Sequence, residues 1–164
     1  MRTMRVLRLV VHSRTREPVL LLAEEDGDRC LPVFLRRAQA DVISVGSRTA
    51  EDPLLPQDVL IPIITGLGHK LERAELTALV DSVYTAELVF DGDTRVAVLP
   101  SDALAIAVRE GLPIGVADDI LDDVGQPIAQ FFPDGTDAPP EKQLQDFKDF
   151  LEGVSPEDFG APGG

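Results

Sequence analysis

One stretch constrains the fold of this chain more than any other: residues 99–114 read LPSDALAIAVREGLPI. The residues just before it, 95–99, are short and rich in β-branched side chains, which predicts a strand that Pro100 ends. Ser101 can cap a helix by accepting a hydrogen bond from a free backbone N–H of the first turn. Asp102 places a negative charge at the positive end of the helix dipole. The stretch therefore predicts a strand that leads directly into a helix.

The predicted helix is apolar on every face over residues 103–108, so we expect it to be buried almost all round. Gly111 supplies a left-handed C-cap, and Pro113 prevents the helix from continuing. A strand, a buried helix and a return to extended chain thus form the expected core of the domain.

The remaining patterns predict an α+β fold with a largely antiparallel sheet, in a single domain over residues 1–126. Strand patterns lie at 4–12, 18–23, 30–35, 70–79, 83–90 and 113–116, and helix patterns at 36–45, 57–67 and 118–124. In the first of these helices, Ala38, Val42 and Val45 share one side and predict its buried face. The order strand, strand, strand, helix occurs twice, which is compatible with a duplicated βββα unit.

The C-terminal part of the chain differs in composition. Residues 127–140 are rich in Pro, Gly and Asp and predict a linker. Residues 141–154 predict an amphipathic helix, and residues 155–164 predict a disordered tail. The apolar stripe of that helix consists of Leu144, Phe147, Phe150, Leu151 and Val154. A helix of this length is marginal alone in water, so we expect it to dock on the domain, on another subunit or on a partner.

Charge limits which partners the chain can bind. The net charge is −14, and residues 134–164 hold two lysines against eight acidic residues, a net −6. Residues 1–48 hold nine arginines against six acidic residues, a net +3. Binding to a nucleic acid depends on Lys and Arg that neutralise phosphates. Only the N-terminal third therefore offers a basic face to DNA or RNA.

Compartment signals are few. Cys30 is the single cysteine, so there is no disulfide framework, and it is best interpreted as a buried small hydrophobe. The N-terminus lacks the apolar run of a signal peptide. The longest apolar stretch, residues 59–67, is too short to span a bilayer. We expect a cytoplasmic protein without a membrane segment.

Residues 99–114 also resemble the most recognisable motif of the bifunctional nuclease (BFN) domain family, in which a Pro-Ser-Asp-Ala helix follows a strand. The matching residues are Pro100, Ser101, Asp102, Ala103, Arg109, Pro113 and Ile114. Further matches are residues 31–33, Asp58, residues 67–69, Tyr84, Ala86 and Leu88, and residues 147–159 resemble the tail of actinobacterial members. The resemblance implies an enzyme that cleaves DNA and RNA.

The resemblance also implies site residues. Asp58 and Asp102 are the implied catalytic carboxylates, holding water or a divalent cation such as Mg²⁺ or Mn²⁺, and Ser101 and Arg109 are the implied phosphate contacts. Both Asp58 and Ser101 have an alternative role as helix caps. Asp118 and Asp122, four residues apart on one predicted helix, are weaker metal candidates, with an exposed acidic helix as the alternative.

Several polar positions depart from the family pattern. The residue before Asp58 is Gln57 where the family has His, and Leu99 stands where it usually has Arg. The family's Ile-Gly and following Glu are replaced by Leu35, Arg36 and then Gln39. Because turn and apolar positions survive while these polar ones change, two functions stay open: a nuclease, or a non-catalytic interaction or regulatory protein that keeps the BFN fold.

A final expectation concerns self-association. The apolar strands at residues 6–11 and 19–22 carry few charges that would block pairing, so we expect them to form sheet edges that join two copies in a homodimer. The acidic segment 134–164 would then compete with nucleic acid for the basic N-terminal third. That competition should weaken with salt.

Overall fold

The computed structural model describes residues 1–52 and 54–133, which form an α+β domain built on one sheet. Its strands are β1 (Arg2–Val11), β2 (Pro18–Glu24), β3 (Arg29–Phe34), β4 (Leu71–Val80), β5 (Val83–Phe90), β6 (Arg95–Val98), β7 (Ile114–Val116) and β8 (Gln126–Pro127). Its helices are α1 (Arg37–Val45), α2 (Leu60–Gly66), α3 (Pro100–Glu110), α4 (Asp118–Val124) and α5 (Ile128–Phe131), and a 3₁₀ turn (Pro56–Val59) precedes α2. Within these described ranges, no helix is both long and apolar enough to cross a membrane.

The sheet consists of two three-stranded meanders joined by β7. The strand order is β6-β5-β4-β7-β1-β2-β3-β8, and every pairing is antiparallel except that of β4 with β7. Along the chain, α1 follows the meander β1-β2-β3, and α3 follows the meander β4-β5-β6. The two βββα units and the largely antiparallel sheet predicted from the sequence are therefore confirmed as structural units.

The two faces of β2 and β3 belong to different hydrophobic clusters, because successive strand residues point to opposite faces. Leu20 and Leu22 pack in the main core with α1 and α3. Val19 and Leu21 pack in a second cluster with α5. Cys30 lies in this second cluster, where burial raises the pKa of its thiol to about 12. The interpretation of Cys30 as a buried small hydrophobe is confirmed.

The sheet is curled rather than flat. The hydroxyl of Tyr84 on β5 donates to the backbone carbonyl of Pro32 on β3 at 3.4 Å. These strands are five places apart in the sheet order, so the sheet must bend for their side chains to meet across the core. This curvature brings the end of β3 close to the start of α3.

The helix α3 follows the prediction in most respects. Gly111 caps it with a left-handed backbone, φ 64°, and most of its residues are buried. Ser101, however, is not its N-cap. The N-cap is Leu99, and Pro100 occupies the first turn. The prediction for Ser101 is therefore corrected, because proline at the first helical position places the N-cap two residues earlier, at Leu99.

In α1 the buried face is not the predicted one. Ala40 and Ile43 are buried, whereas Val45 is more than half exposed. Ala38 and Val42 instead line an open groove, described below. Ala40 and Ile43 pack in the main core together with Ala103, Leu104 and Ala107 of α3.

The strand order corrects one further prediction. The strand at residues 19–22 was expected to be a sheet edge, but β2 pairs with both β1 and β3. In β1, residues 2–4 pair with β7, whereas residues 6–11 pair with β2 alone among the described strands. The edges are β6 and β8. The strand β7 lies far along the chain from β1, so its pairing with β1 could not be predicted from the β1–β2 hairpin.

The start of the predicted linker is also part of the fold. Residues 126–131 form β8 and α5, and Phe131 and Phe132 are buried in the second cluster. Two adjacent aromatic side chains supply enough apolar surface to hold a segment that is otherwise polar. The predicted helix at 141–154 and tail at 155–164 lie outside the described residues.

Candidate functional site

The first part of the candidate site is a buried ion pair between the 3₁₀ turn and α3. Asp58 is 3% exposed and Arg109, in the last turn of α3, is 1% exposed. The guanidinium of Arg109 donates from Nε to Asp58 Oδ1 at 3.1 Å and from Nη2 to Oδ2 at 3.0 Å. Charge-assisted bonds in this paired geometry are among the strongest hydrogen bonds in proteins. The pair therefore fixes the 3₁₀ turn against the end of α3.

Asp58 also accepts a hydrogen bond within its own turn. The N-cap of the turn is Leu55 rather than Asp58, and the backbone N–H of Leu55 donates to Asp58 Oδ2 at 2.7 Å from three residues further on. The hydrogen bonds from Arg109 hold the pKa of Asp58 below its ordinary value, outweighing burial, which raises it. The carboxylate of Asp52 lies 3.8 Å from Arg109 Nη1 and adds a second negative charge.

This arrangement does not fit the roles that the resemblance implies for the pair. Both oxygens of Asp58 accept hydrogen bonds from within the protein. Arg109 is too deeply buried to contact a phosphate. In this structure Asp58 and Arg109 therefore bind each other and fix the 3₁₀ turn against α3.

The lowered pKa of Asp58 makes an acid-sensitive contribution to stability. Its folded pKa lies below its unfolded value of about 4, so the contribution is fully present above that pH and is lost as the pH falls through the folded pKa. We expect the urea midpoint of the parent to drop more steeply than that of Asp58→Asn between about pH 6 and about pH 3. Parallel pH profiles for the two proteins would contradict this assignment.

The second part of the site is Asp102 in the first turn of α3. Its Oδ1 accepts hydrogen bonds from Arg36 Nη2 at 2.6 Å and from Gln39 Nε2 at 2.7 Å. Its side chain is 37% exposed, so solvent reaches it. The buried hydroxyl of Ser101 accepts the backbone N–H of Arg36 at 3.1 Å. Ser101 thus holds Arg36 in place rather than facing a substrate.

An open groove with a volume of about 530 Å³ lies beside Asp102. Parts of α1, α2, α3, β5, β6 and the 3₁₀ turn bound it. Its apolar lining consists of Ala38, Val42, Leu60, Ile64, Leu88, Phe90, Val96, Val98, Ala105 and Ile106. Three polar side chains, which we call the polar part of the groove, complete the lining: Gln39, Gln57 and Asp102.

The three residues in the polar part of the groove lie at positions where the family that this chain resembles has polar residues. Gln39 stands where the family has Glu, Gln57 stands where it has His, and Asp102 belongs to the matched motif. Gln39 Oε1 and Gln57 Nε2 are buried and have no hydrogen-bond partner within residues 1–52 and 54–133. Buried polar atoms normally find a partner, so these two are suited to meet a ligand.

Sequence reasoning found part of this site. The sequence indicates Asp102 as a candidate. It also shows that Arg36, Gln39 and Gln57 stand where the family has other residues, but it does not mark these three as site residues. The signal that could have identified them is that they all lie at positions where the family carries its own motif residues. Neither histidine joins the site: His12 Nδ1 accepts backbone N–H groups of its own turn, and His69 lies 3.3 Å from Asp91.

The residues of the described chain do not fit a divalent cation. Asp58 is bound by Arg109, and Asp102 is bound by Arg36 and Gln39. Asp118 pairs with the N-terminal amine and with Arg2, and Asp122 pairs with Arg29. Within residues 1–52 and 54–133 there is no group of three or more His, Cys, Asp or Glu side chains that could hold a metal ion.

A curled, mostly antiparallel sheet with two βββα units defines the class, a small α+β domain, and an open groove of ligand size lies beside the partly exposed carboxylate of Asp102. The sequence profile of the family described as "Bifunctional nuclease domain" matches residues 20–129. The chain belongs to the bifunctional nuclease domain family. This is the family that the Pro-Ser-Asp motif indicated.

Two relatives cover nearly the whole chain. They are uncharacterised proteins of Mycobacterium tuberculosis, from strains CDC 1551 / Oshkosh and H37Rv. Each is 36% identical over 159 residues, which is 96% of this chain and 97% of the relative. The similarity therefore extends beyond the family domain into the C-terminal segment.

Proposed function

We propose that this chain hydrolyses phosphodiester bonds of DNA and RNA at the polar part of the groove. The observation that carries the proposal is the meeting of Gln39, Gln57 and Asp102 in one open groove. Active sites are typically apolar clefts with a few convergent polar groups. The family match over residues 20–129 supports a nucleic acid as the substrate class.

In this proposal Asp102 is the general base. Its carboxylate takes a proton from a water molecule as the water oxygen attacks phosphorus. The P–O bond to the leaving nucleoside then breaks, and the leaving oxygen takes a proton from solvent. Positioned base catalysis of this kind is worth about 10²- to 10⁴-fold in rate.

The neighbouring side chains bind the phosphate. The guanidinium of Arg36 is partly exposed and lies against Asp102, so it supplies positive charge where the phosphate arrives. Gln57 Nε2 is a buried donor, and it donates to a phosphate oxygen. The apolar lining of Leu88, Phe90 and Val98 accepts a nucleobase.

A cleavage assay on Asp102→Asn tests the proposal. Purified parent and variant are incubated with single-stranded RNA and DNA, in one arm with Mg²⁺ or Mn²⁺ and in another with chelator. We expect Asp102→Asn to lose about 10²-fold or more of the cleavage rate. Asp119→Asn, which removes an exposed carboxylate from α4, is the matched control and should cleave like the parent. Equal cleavage by parent and Asp102→Asn would sink the assignment.

A second candidate is a non-catalytic interaction or regulatory protein. The observation that favours it is the loss of titratable groups at the site: two of the three polar positions in the groove are neutral amides, and Asp58 is closed by Arg109. The net charge of −14 also opposes binding of a polyanion. Absence of cleavage by the parent in every arm, with the protein folded, selects this candidate.

Two further proposals concern the oligomeric state and the compartment of the protein. We propose a homodimer that pairs through β6, because this edge strand exposes Val96 and is followed by the exposed Leu99. A cytoplasmic location is supported by a single, buried cysteine.

A further inference from the structure

The groove has apolar walls that are open to solvent, and an apolar surface of this kind is usually covered by another segment or a partner. Ala38 and Val42, on the apolar stripe of α1, line the groove; Ala38 is exposed, and Val42 is half-buried and also packs against the main core. The helix α2 is apolar along most of its length, and none of its residues is buried. Val96 on the edge strand β6 is 45% exposed and lines the same groove. Three separate elements thus present uncovered apolar side chains to one space.

We propose that this groove is the seat of the chain's own C-terminal segment, residues 141–154. That segment carries an apolar stripe in helical spacing, consisting of Leu144, Phe147, Phe150, Leu151 and Val154. Such a stripe in a groove is a common mode of helix recognition, with anchors at i, i+3 or i+4, and i+7. The apolar stripe and the apolar groove complete each other, and each is unstable in water without cover.

The link between the described domain and the segment is short. The described chain ends at Pro133, next to Phe132, which packs on the outer face of β2 and β3. Residues 134–140 then span about 25 Å when extended. A tether of this length holds the segment at a millimolar effective concentration.

Charge also favours this occupant. Residues 141–154 contain four acidic side chains and two lysines. The first turn of α1, which forms one wall of the groove, carries no acidic residue. Arg36 and Arg37 lie at its start, where Arg36 also pairs with Asp102 of the groove lining. The acidic edge of the segment can therefore lie beside these arginines while its apolar stripe enters the groove.

The relatives retain this part of the chain. Their alignment covers 96% of the sequence, so residues 141–154 lie inside it although the family profile ends at residue 129. The inference does not rest on hydrolysis at Asp102. A segment in the groove covers Asp102 whether that carboxylate is catalytic or not, and the experiments below use no substrate.

Chemical cross-linking in the full chain tests the seat directly. Leu60→Cys places a thiol on the groove wall, and Lys148→Cys places one in the segment without removing its apolar stripe. Cys30 is buried and does not compete for the reagent. With a short bifunctional maleimide and a mixture of isotope-labelled and unlabelled protein, we expect cross-links within one chain. The control pair is Val83→Cys with Lys148→Cys, because Val83 is 50% exposed but does not line the groove.

The mass of the cross-linked products decides between the occupants. Cross-links within one chain that exceed those of the control pair support the proposal. Cross-links between labelled and unlabelled chains would show a second copy in the groove and would overturn it. Equal yields for the two pairs would overturn it as well.

A dye-binding measurement supplies a readout that needs no cross-link. An anilinonaphthalene sulfonate dye reports on open apolar grooves, and a tethered segment lowers its apparent affinity about tenfold by competition. We expect Phe147→Asp to raise dye affinity by that factor. Phe159→Asp, outside the segment, is the matched control and should leave it unchanged. Equal dye affinities for parent and Phe147→Asp would contradict the proposal.

Discussion

Asp58→Ala is expected to lower the free energy of unfolding by about 3 kcal/mol, which is a large share of the stability of a domain this size. The reason is that the substitution removes the main partner of a buried charge and leaves Arg109 with the more distant Asp52, at 3.8 Å, as its carboxylate neighbour. Asp58 is 3% exposed and accepts two hydrogen bonds from Arg109 and one from Leu55. The loss combines two missing hydrogen bonds to the buried guanidinium with one missing hydrogen bond to the Leu55 N–H.

Urea unfolding of three variants separates this effect from ordinary charge loss. Asp102→Ala is the matched control, because its pair with Arg36 is about one-third exposed and should contribute only about 1 kcal/mol or less. The double variant Asp58→Leu with Arg109→Met should recover much of the lost stability, since apolar side chains can replace a buried ion pair. Equal losses for Asp58→Ala and Asp102→Ala would show that the buried pair has no special role.

The buried pair also explains how the site is positioned. The backbone carbonyl of Arg109 accepts the N–H of Arg48 at 2.8 Å, so the end of α3 holds the connector that follows α1. The same arginine holds the 3₁₀ turn through Asp58. Because Gln57 is the neighbour of Asp58 on that turn, the pair sets where Gln57 meets the groove. Stability and site geometry are therefore coupled through one side chain.

Much of the fold could be predicted because its signals are local. The βββα units are delimited by prolines, glycines and β-branched runs, and the strands of each meander follow one another in the chain. The left-handed backbone at Gly111 follows from the glycine alone. What could not be predicted is long-range: β7 inserts between β1 and β4, and no local pattern of residues 114–116 specifies those neighbours.

The site divides in the same way. Asp102 and Ser101 were found because their motif is contiguous in sequence. The pairing of Asp58 with Arg109 joins residues 51 positions apart, so their mutual neutralisation could be read only from the structure. The buried face of α1 was missed for a related reason, because Ala38 and Val42 form an apolar stripe that lies in the groove. Periodicity reports that a face is apolar and does not report what covers it.

Phe131→Ala is expected to lower the free energy of unfolding by about 3 to 5 kcal/mol, the usual range for removing a buried phenylalanine. Phe131 is fully buried in the second cluster with Phe34 and Cys30. Its helix α5 has only four residues, so little else can hold this part of the chain against the sheet. The effect is therefore expected to include release of β8 from β3.

Gln130→Ala is the matched control, because Gln130 lies on the same short helix and is exposed. It should change the free energy of unfolding by no more than about 0.5 kcal/mol. Hydrogen exchange of the Ile128 backbone N–H, which donates to the Asp28 carbonyl at 2.7 Å, reports whether this junction opens. We expect faster exchange there in Phe131→Ala than in Gln130→Ala. If the two variants unfold at the same urea concentration, residues 127–132 act as the linker that their composition suggests, and the domain ends at α4.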